Sequence, residues 1–169
     1  MVWKLGVSGA SGKKRLGLGG FRMKALVTGA SSGIGYEFAK VLAKNKHEII
    51  LVSRNKEKLK KIKKEIERDY KVKVSVYKVD LSKLNEVKKF YRQVKKEDID
   101  ILINNAGVGD FGKFLDMSWE KDNEVIDLNI KALTFLTKNF SEKMVEKGEG
   151  KILNVASIAA FQPGPYLAV

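Results

Sequence analysis

The chain has 169 residues, 44% of them hydrophobic, enough for one domain with a substantial core. It has no cysteine and a single histidine, His47, which excludes disulfides and thiolate chemistry, makes a metal site unexpected and favours a reducing, cytoplasmic setting. No stretch approaches the roughly 18 consecutive apolar residues of a membrane span. The formal net charge of +13 raises nucleic-acid binding, but its distribution argues against it. Five bases (Lys4, Lys13, Lys14, Arg15, Arg22) fall in the first 22 residues, which hold no acid. Much of the remainder lies on residues 56–68, where lysines alternate with Glu57, Glu65 and Glu67 and no aromatic interleaves, the pattern of a solvated helix face.

In chain order, residues 1–22 are rich in Gly, Ser and Lys without a sustained period, and 8–14 lacks the Ser or Thr that a phosphate loop carries after its lysine. Met23 opens the first predicted strand directly, and Gly19-Gly20 can be encoded by a purine-rich ribosome-binding sequence. Residues 1–22 are therefore expected to be a disordered, non-native leader ahead of one domain over 23–169. Strands are predicted at 24–28, 48–53, 72–79, 99–104 and 151–156. Between them lie amphipathic helices at 34–45, at 56–69 capped by Asn55, and after Ser82 as a further cap. A long helix, capped by Ser118 and ended by Gly148 and Gly150, precedes the last strand. His47 reads as a solvated loop residue. This alternation predicts an α/β fold, a doubly wound parallel sheet with helices on both faces.

The turn after the first strand, Thr28-Gly29-Ala30-Ser31-Ser32-Gly33-Ile34-Gly35, is rich in glycine. A strand-to-helix turn of this kind lets a pyrophosphate rest on a helix N-terminus. Gly29 permits the tight turn, Gly33 lets backbone approach phosphate, and Gly35 lets the helix pack close to the sheet. Ser31 and Ser32 can cap the helix and offer hydroxyls. Polar residues also recur at the carboxyl ends of the later strands: Arg54, Asp80, Asn104-Asn105-Ala106-Gly107 and Ser157. In an open parallel sheet that edge binds ligands.

Thr28 to Gly35, Asp80-Leu81, Asn104-Asn105-Ala106-Gly107, Asp127-Leu128-Asn129 and Val155-Ala156-Ser157 together resemble the ordered motifs of the short-chain dehydrogenases/reductases, over 23–169. The resemblance implies a Rossmann-type sheet that binds NAD(H) or NADP(H) and moves hydride between nicotinamide and a small-molecule carbonyl or alcohol. It implies that Gly29, Ser31, Ser32, Gly33 and Ile34 hold the pyrophosphate, and that Asp80 and Leu81 flank the adenine. Asn105, Ala106 and Gly107 line the cleft, Asn129 holds a water of the proton relay, and Ser157 polarises the substrate oxygen. NAD-preferring sites place an acid at the end of the second strand. This chain has Ser53-Arg54 there, and a guanidinium pairs well with a 2′-phosphate, so NADP(H) is favoured over NAD(H).

The family's proton-exchanging tyrosine, followed by a lysine one helical turn on, falls past Val169 when counted from Ser157. Tyr166 is no substitute, because Gln162-Pro163-Gly164-Pro165 reads as a loop and no lysine follows. The expectation is thus a C-terminally truncated sheet of about five of the family's seven strands, with an unpaired edge on the last strand. The family's homo-oligomer surface would be incomplete. A truncated, inactive remnant that binds dinucleotide weakly or not at all is the alternative to a working reductase. The loops 108–117 and 159–167 would wall the substrate, with Phe111, Phe114 and Phe161 making it partly apolar.

Overall fold

The computed structural model describes residues 5–7, 15–16, 20–162 and 164–166. Three short strands come first, β1 (Leu5–Val7), β2 (Arg15–Leu16) and β3 (Gly20–Phe21), the last two pairing as a small antiparallel ribbon. Residues 1–4, 8–14 and 17–19 lie outside the described residues. Then come β4 (Lys24–Thr28), α1 (Gly33–Lys44), β5 (Glu48–Ser53), α2 (Lys56–Tyr70), β6 (Val74–Lys78) and α3 (Leu84–Val94). Next are β7 (Ile101–Asn104), α4 (Trp119–Ile126), α5 (Leu133–Lys147) and β8 (Gly150–Asn154).

Strands β4 to β8 form one parallel sheet in the order β8-β7-β4-β5-β6. Alternate residues along each strand face opposite sides, and both sides are covered, so the strands read as continuous apolar runs. Leu26, Ile50, Val52, Leu102 and Ile152 pack against Val87, Phe90 and Val94 of α3 and Leu136, Phe140 and Met144 of α5. Ala25, Val27, Ile49, Leu51, Ile101 and Ile103 pack on the opposite side against Ala39 and Ala43 of α1 and Leu59, Ile62 and Ile66 of α2. The predicted doubly wound architecture is therefore present. No helix among the described residues is long and apolar enough to cross a membrane.

Four local expectations change. The edge of β8 is paired: β1 lies antiparallel to it, Leu5 opposite Ile152 and Val7 opposite Gly150. Backbone donors and acceptors on a sheet edge seek such partners. The long helix after Ser118 is interrupted by a π-helical turn, Asp127–Ala132, between α4 and α5. Ser82 does not cap α3, whose N-cap is Lys83; its hydroxyl donates instead to Asp80 Oδ1 at 2.7 Å. His47 is half-buried, and its Nδ1 accepts from the Met23 amide at 3.3 Å, which ties the start of β4 to the turn before β5. Asn55 and Ser118 cap α2 and α4 as expected, accepting from the amides of Lys58 and Lys121.

The chain winds outward from β4 in both directions, toward β5 and β6 on one side and β7 and β8 on the other. The reversal opens a crevice at the carboxyl ends of β4 and β7.

Candidate functional site

At the crevice one hydroxyl ties the ends of β4 and β7 together. Thr28, buried at the end of β4, donates through Oγ1 to the Ile103 carbonyl at 3.2 Å. The same oxygen accepts from the amides of Asn105 at 2.9 Å and Ala106 at 3.0 Å. The Asn105 side chain returns the tie, donating from Nδ2 to the carbonyls of Thr28 at 3.0 Å and Gly29 at 3.3 Å. The turns after β4 and β7 are thus knotted together.

From this knot the glycine turn climbs to α1. A Cβ on Gly35 would sit 2.5 Å from the Gly29 carbonyl oxygen, so only glycine allows the helix to start this close to the turn. Gly33 has φ +56°, and nothing lies within 4 Å of where its Cβ would be. Ser32 occupies the N-cap position, but its hydroxyl makes no capping bond, contrary to the expected cap. The Ser32 hydroxyl therefore does not occupy the first-turn amides of α1. That arrangement fits an anionic group such as a pyrophosphate.

A cleft of about 340 Å³ runs from this turn across the sheet edge. It brings together Gly29, Ser31, Ser32, Arg54, Asp80, Leu81, Asn105, Ala106 and Gly107 from the expected set. It also takes Ser53, Val79, Val108 and Leu128, which sequence reasoning did not assign to it. Gly33 and Ile34 are not among the lining residues, and the Ile34 side chain is 60% exposed. Asn129 and Ser157 also stand outside the cleft wall.

At one end of the cleft Arg54 Nη1 pairs with Glu124 Oε1 of α4 at 2.9 Å. Asp80 lies nearby, its Oδ1 accepting from the Ser82 amide at 3.2 Å as well as from the Ser82 hydroxyl. Burial pushes the Asp80 carboxyl up, but the two Ser82 hydrogen bonds and the Arg54 and Lys83 charges outweigh it and hold the group below its ordinary 3.8. A carboxylate depressed in the fold stabilises it above the unfolded value and loses that contribution as pH falls through the folded one. Acid unfolding followed by circular dichroism should therefore cost wild type more stability than Asp80→Asn as the pH drops through the carboxylate range.

Asn129 sits in the π turn. Its Oδ1 accepts from the Val108 amide at 3.0 Å and its Nδ2 donates to the Val108 carbonyl at 2.7 Å. The amide thus ties the π turn to Val108, a residue of the cleft wall. Ser157 N-caps a short 3-10 turn, Ile158–Ala160, its Oγ accepting from the Ala159 amide at 3.1 Å. That leaves the exposed hydroxyl its proton to donate. Beyond it Phe111 stacks edge-on against Tyr166 at 5.5 Å, and the Gly112 amide donates to the Tyr166 carbonyl, so the two expected substrate loops touch. Behind the cleft Asn104 Nδ2 donates to Thr137 Oγ1 and Asn154 Oδ1, each at 2.9 Å, a buried network joining β7, α5 and β8.

Comparison with known proteins agrees with this geometry. The family model for short chain dehydrogenase matches residues 23–169. The very-long-chain 3-oxoacyl-CoA reductase-B of Danio rerio is 34% identical over 149 residues, which cover 86% of this chain and 48% of that protein. The inactive hydroxysteroid dehydrogenase-like protein 1 of Homo sapiens is 36% identical over 149 residues, covering 85% and 44%. Among solved structures, a short-chain dehydrogenase from Sphingobium yanoikuyae in complex with NADPH superposes with a TM-score of 0.83 at 32% identity, over 86% of this chain and 57% of that one. The chain spans about half the length of the curated relatives it matches. The strand-end motifs, the sheet order and the matched span converge on one conclusion: the chain belongs to the short-chain dehydrogenase/reductase family, NAD(P)-binding oxidoreductases that act on small molecules.

Proposed function

We propose that the cleft takes NADP(H) in preference to NAD(H), and that the protein moves hydride between the nicotinamide and a small-molecule carbonyl or alcohol. The observation that carries this is the meeting of Gly29, Ser31, Ser32, Arg54, Asp80 and Asn105 around one cleft at the reversal of strand order. Bound there, the cofactor supplies or accepts the hydride. The chain's own residues bind and orient. The α1 N-terminus faces the pyrophosphate, Leu81 and Asp80 flank the adenine, and Arg54 meets a 2′-phosphate. Asn129 fixes Val108 and, through it, the wall of the cleft. Ser157 donates a hydrogen bond to the substrate oxygen and so polarises the carbonyl for hydride attack, the proton that completes the alcohol being drawn from solvent. Phe111, Phe161 and Tyr166 offer the substrate an apolar wall. The lysine-rich face of α2 is assigned to solvent rather than to nucleic acid, since Lys60 and Lys63 pair with Glu57 and Glu67.

A charge-assisted bond to phosphate is worth about 1.5–3 kcal/mol, tenfold or more in affinity. NADPH is therefore expected to bind at least about tenfold more tightly than NADH in a fluorescence titration, and Arg54→Asp to abolish the difference. Equal or tighter NADH binding by wild type refutes the cofactor assignment. The similarity to an inactive relative favours a second reading, dinucleotide binding without turnover. Oxidation of NADPH by a panel of aliphatic and aromatic ketones distinguishes the two: turnover supports the reductase, and saturable binding without turnover supports the second reading.

A further inference from the structure

Arg54 follows β5 and lines the cleft, while Glu124, 70 positions on, stands on α4 outside the lining. Their 2.9 Å contact joins the cleft wall to α4. The Arg54 side chain is 58% exposed and Glu124 25%. Arg54 also acts on the Asp80 carboxylate, so its one positive charge answers two acids. Glu124 has a second cation, Lys121, at 3.5 Å. A carboxylate beside a guanidinium offsets part of its charge, so the pair attracts an incoming anion less strongly than the guanidinium alone would.

We propose that Glu124 is a specificity-determining counter-ion that limits how strongly the cleft prefers NADP(H) over NAD(H). The inference rests on reading the cleft as a dinucleotide site. With Arg54 Nη1 on Glu124, the ribose end carries a partly compensated charge, which favours a 2′-phosphate over a 2′-hydroxyl less than a lone guanidinium would. A 2′-phosphate must draw Arg54 away, or share it with a carboxylate that repels the phosphate. NADP(H) therefore bears a cost that NAD(H) escapes, and specificity is the difference between the two. The pair is exposed, so the cost is small, and Arg54 exchanges readily between partners.

The test is calorimetric binding of NADP+ and NAD+, and of the fragments 2′,5′-ADP and 5′-AMP, to the full chain. Wild type is compared with Glu124→Gln, Glu124→Ala, Arg54→Gln and the double variant Arg54→Gln/Glu124→Gln. Both Glu124 variants are expected to raise the NADP+ to NAD+ affinity ratio about threefold, the size of an exposed ion pair. The gain should come from tighter NADP+ and 2′,5′-ADP binding, with NAD+ and 5′-AMP unchanged. In the Arg54→Gln background the same change should have no effect on the ratio. A ratio that stays constant or falls in both Glu124 variants, while Arg54→Gln still erases the preference, overturns the inference and leaves the cofactor reading intact. Equal weakening of all four ligands also overturns it, because that is what a merely structural role would produce. Wild type that binds NAD+ as tightly as NADP+ overturns the cofactor reading itself.

Discussion

Thr28→Val is expected to lower stability by about 3 kcal/mol and the melting temperature by about 10 °C, and to remove measurable NADPH binding. Valine matches threonine in shape, so no cavity forms and the loss isolates the hydroxyl. That oxygen has one proton and two acceptor sites, and all are used: on the Ile103 carbonyl, the Asn105 amide and the Ala106 amide. A methyl in its place leaves those three backbone groups without their partner at a buried strand end. Leaving a buried group unpaired costs more than the net value of the bond it made. The turn after β7 would then drift from the turn after β4, and the cleft lies between them. Thr28→Ser keeps the hydroxyl and should retain binding with a smaller stability loss. Thermal unfolding and NADPH titration of the three proteins check this; a Thr28→Val protein that melts and binds like wild type would place the organising contact elsewhere.

Why the sequence showed some of this and not the rest follows from where each signal lives. The five parallel strands were legible because each is an apolar run bounded by turn residues, and two-faced burial demands just such runs. The cleft was legible because strand ends in an open parallel sheet converge at the reversal of strand order, so Gly29, Arg54, Asp80 and Asn105 meet without needing a distance. Contacts set by tertiary geometry were not legible. Thr28 reads as an ordinary β-former, and nothing local marks its oxygen as a three-way tie. Glu124 is one acid among several on α4, and only the fold brings it to Arg54. The π turn has no Pro or Gly to announce it, and what it changes is the aim of Asn129. Ser32 and Ser82 both stand where a cap is expected by position, but Asp80 competes for the Ser82 hydroxyl. The pairing of β1 with β8 joins segments nearly the whole chain apart, which local periodicity cannot see.

Gly35→Ala is expected to be nearly as damaging to the cleft, through packing instead of hydrogen bonding. In an ordinary helix this change stabilises by about 1 kcal/mol. Here the new Cβ would lie 2.5 Å from the Gly29 carbonyl oxygen, 2.9 Å from the Gly29 carbonyl carbon and 2.5 Å from Asn105 Nδ2. Backbone cannot yield as a flexible side chain would. The turn is pinned on both sides, because the Gly29 carbonyl accepts from Asn105 and the Ala30 amide donates to the Val52 carbonyl at 3.2 Å. The start of α1 must therefore move outward, at an overpacking cost of about 3 kcal/mol that exceeds the propensity gain. The same movement carries the first-turn amides away from the pyrophosphate position, so NADPH affinity should fall by at least about tenfold, the loss of one charge-assisted bond. Gly33→Ala is the control. Its Cβ meets no neighbour, so only the left-handed backbone at φ +56° is penalised, by about 1 kcal/mol. Gly33 faces the pyrophosphate position, so the control is read in melting alone: if Gly35→Ala is the milder of the two there, close approach of α1 to the turn is not what shapes the cleft.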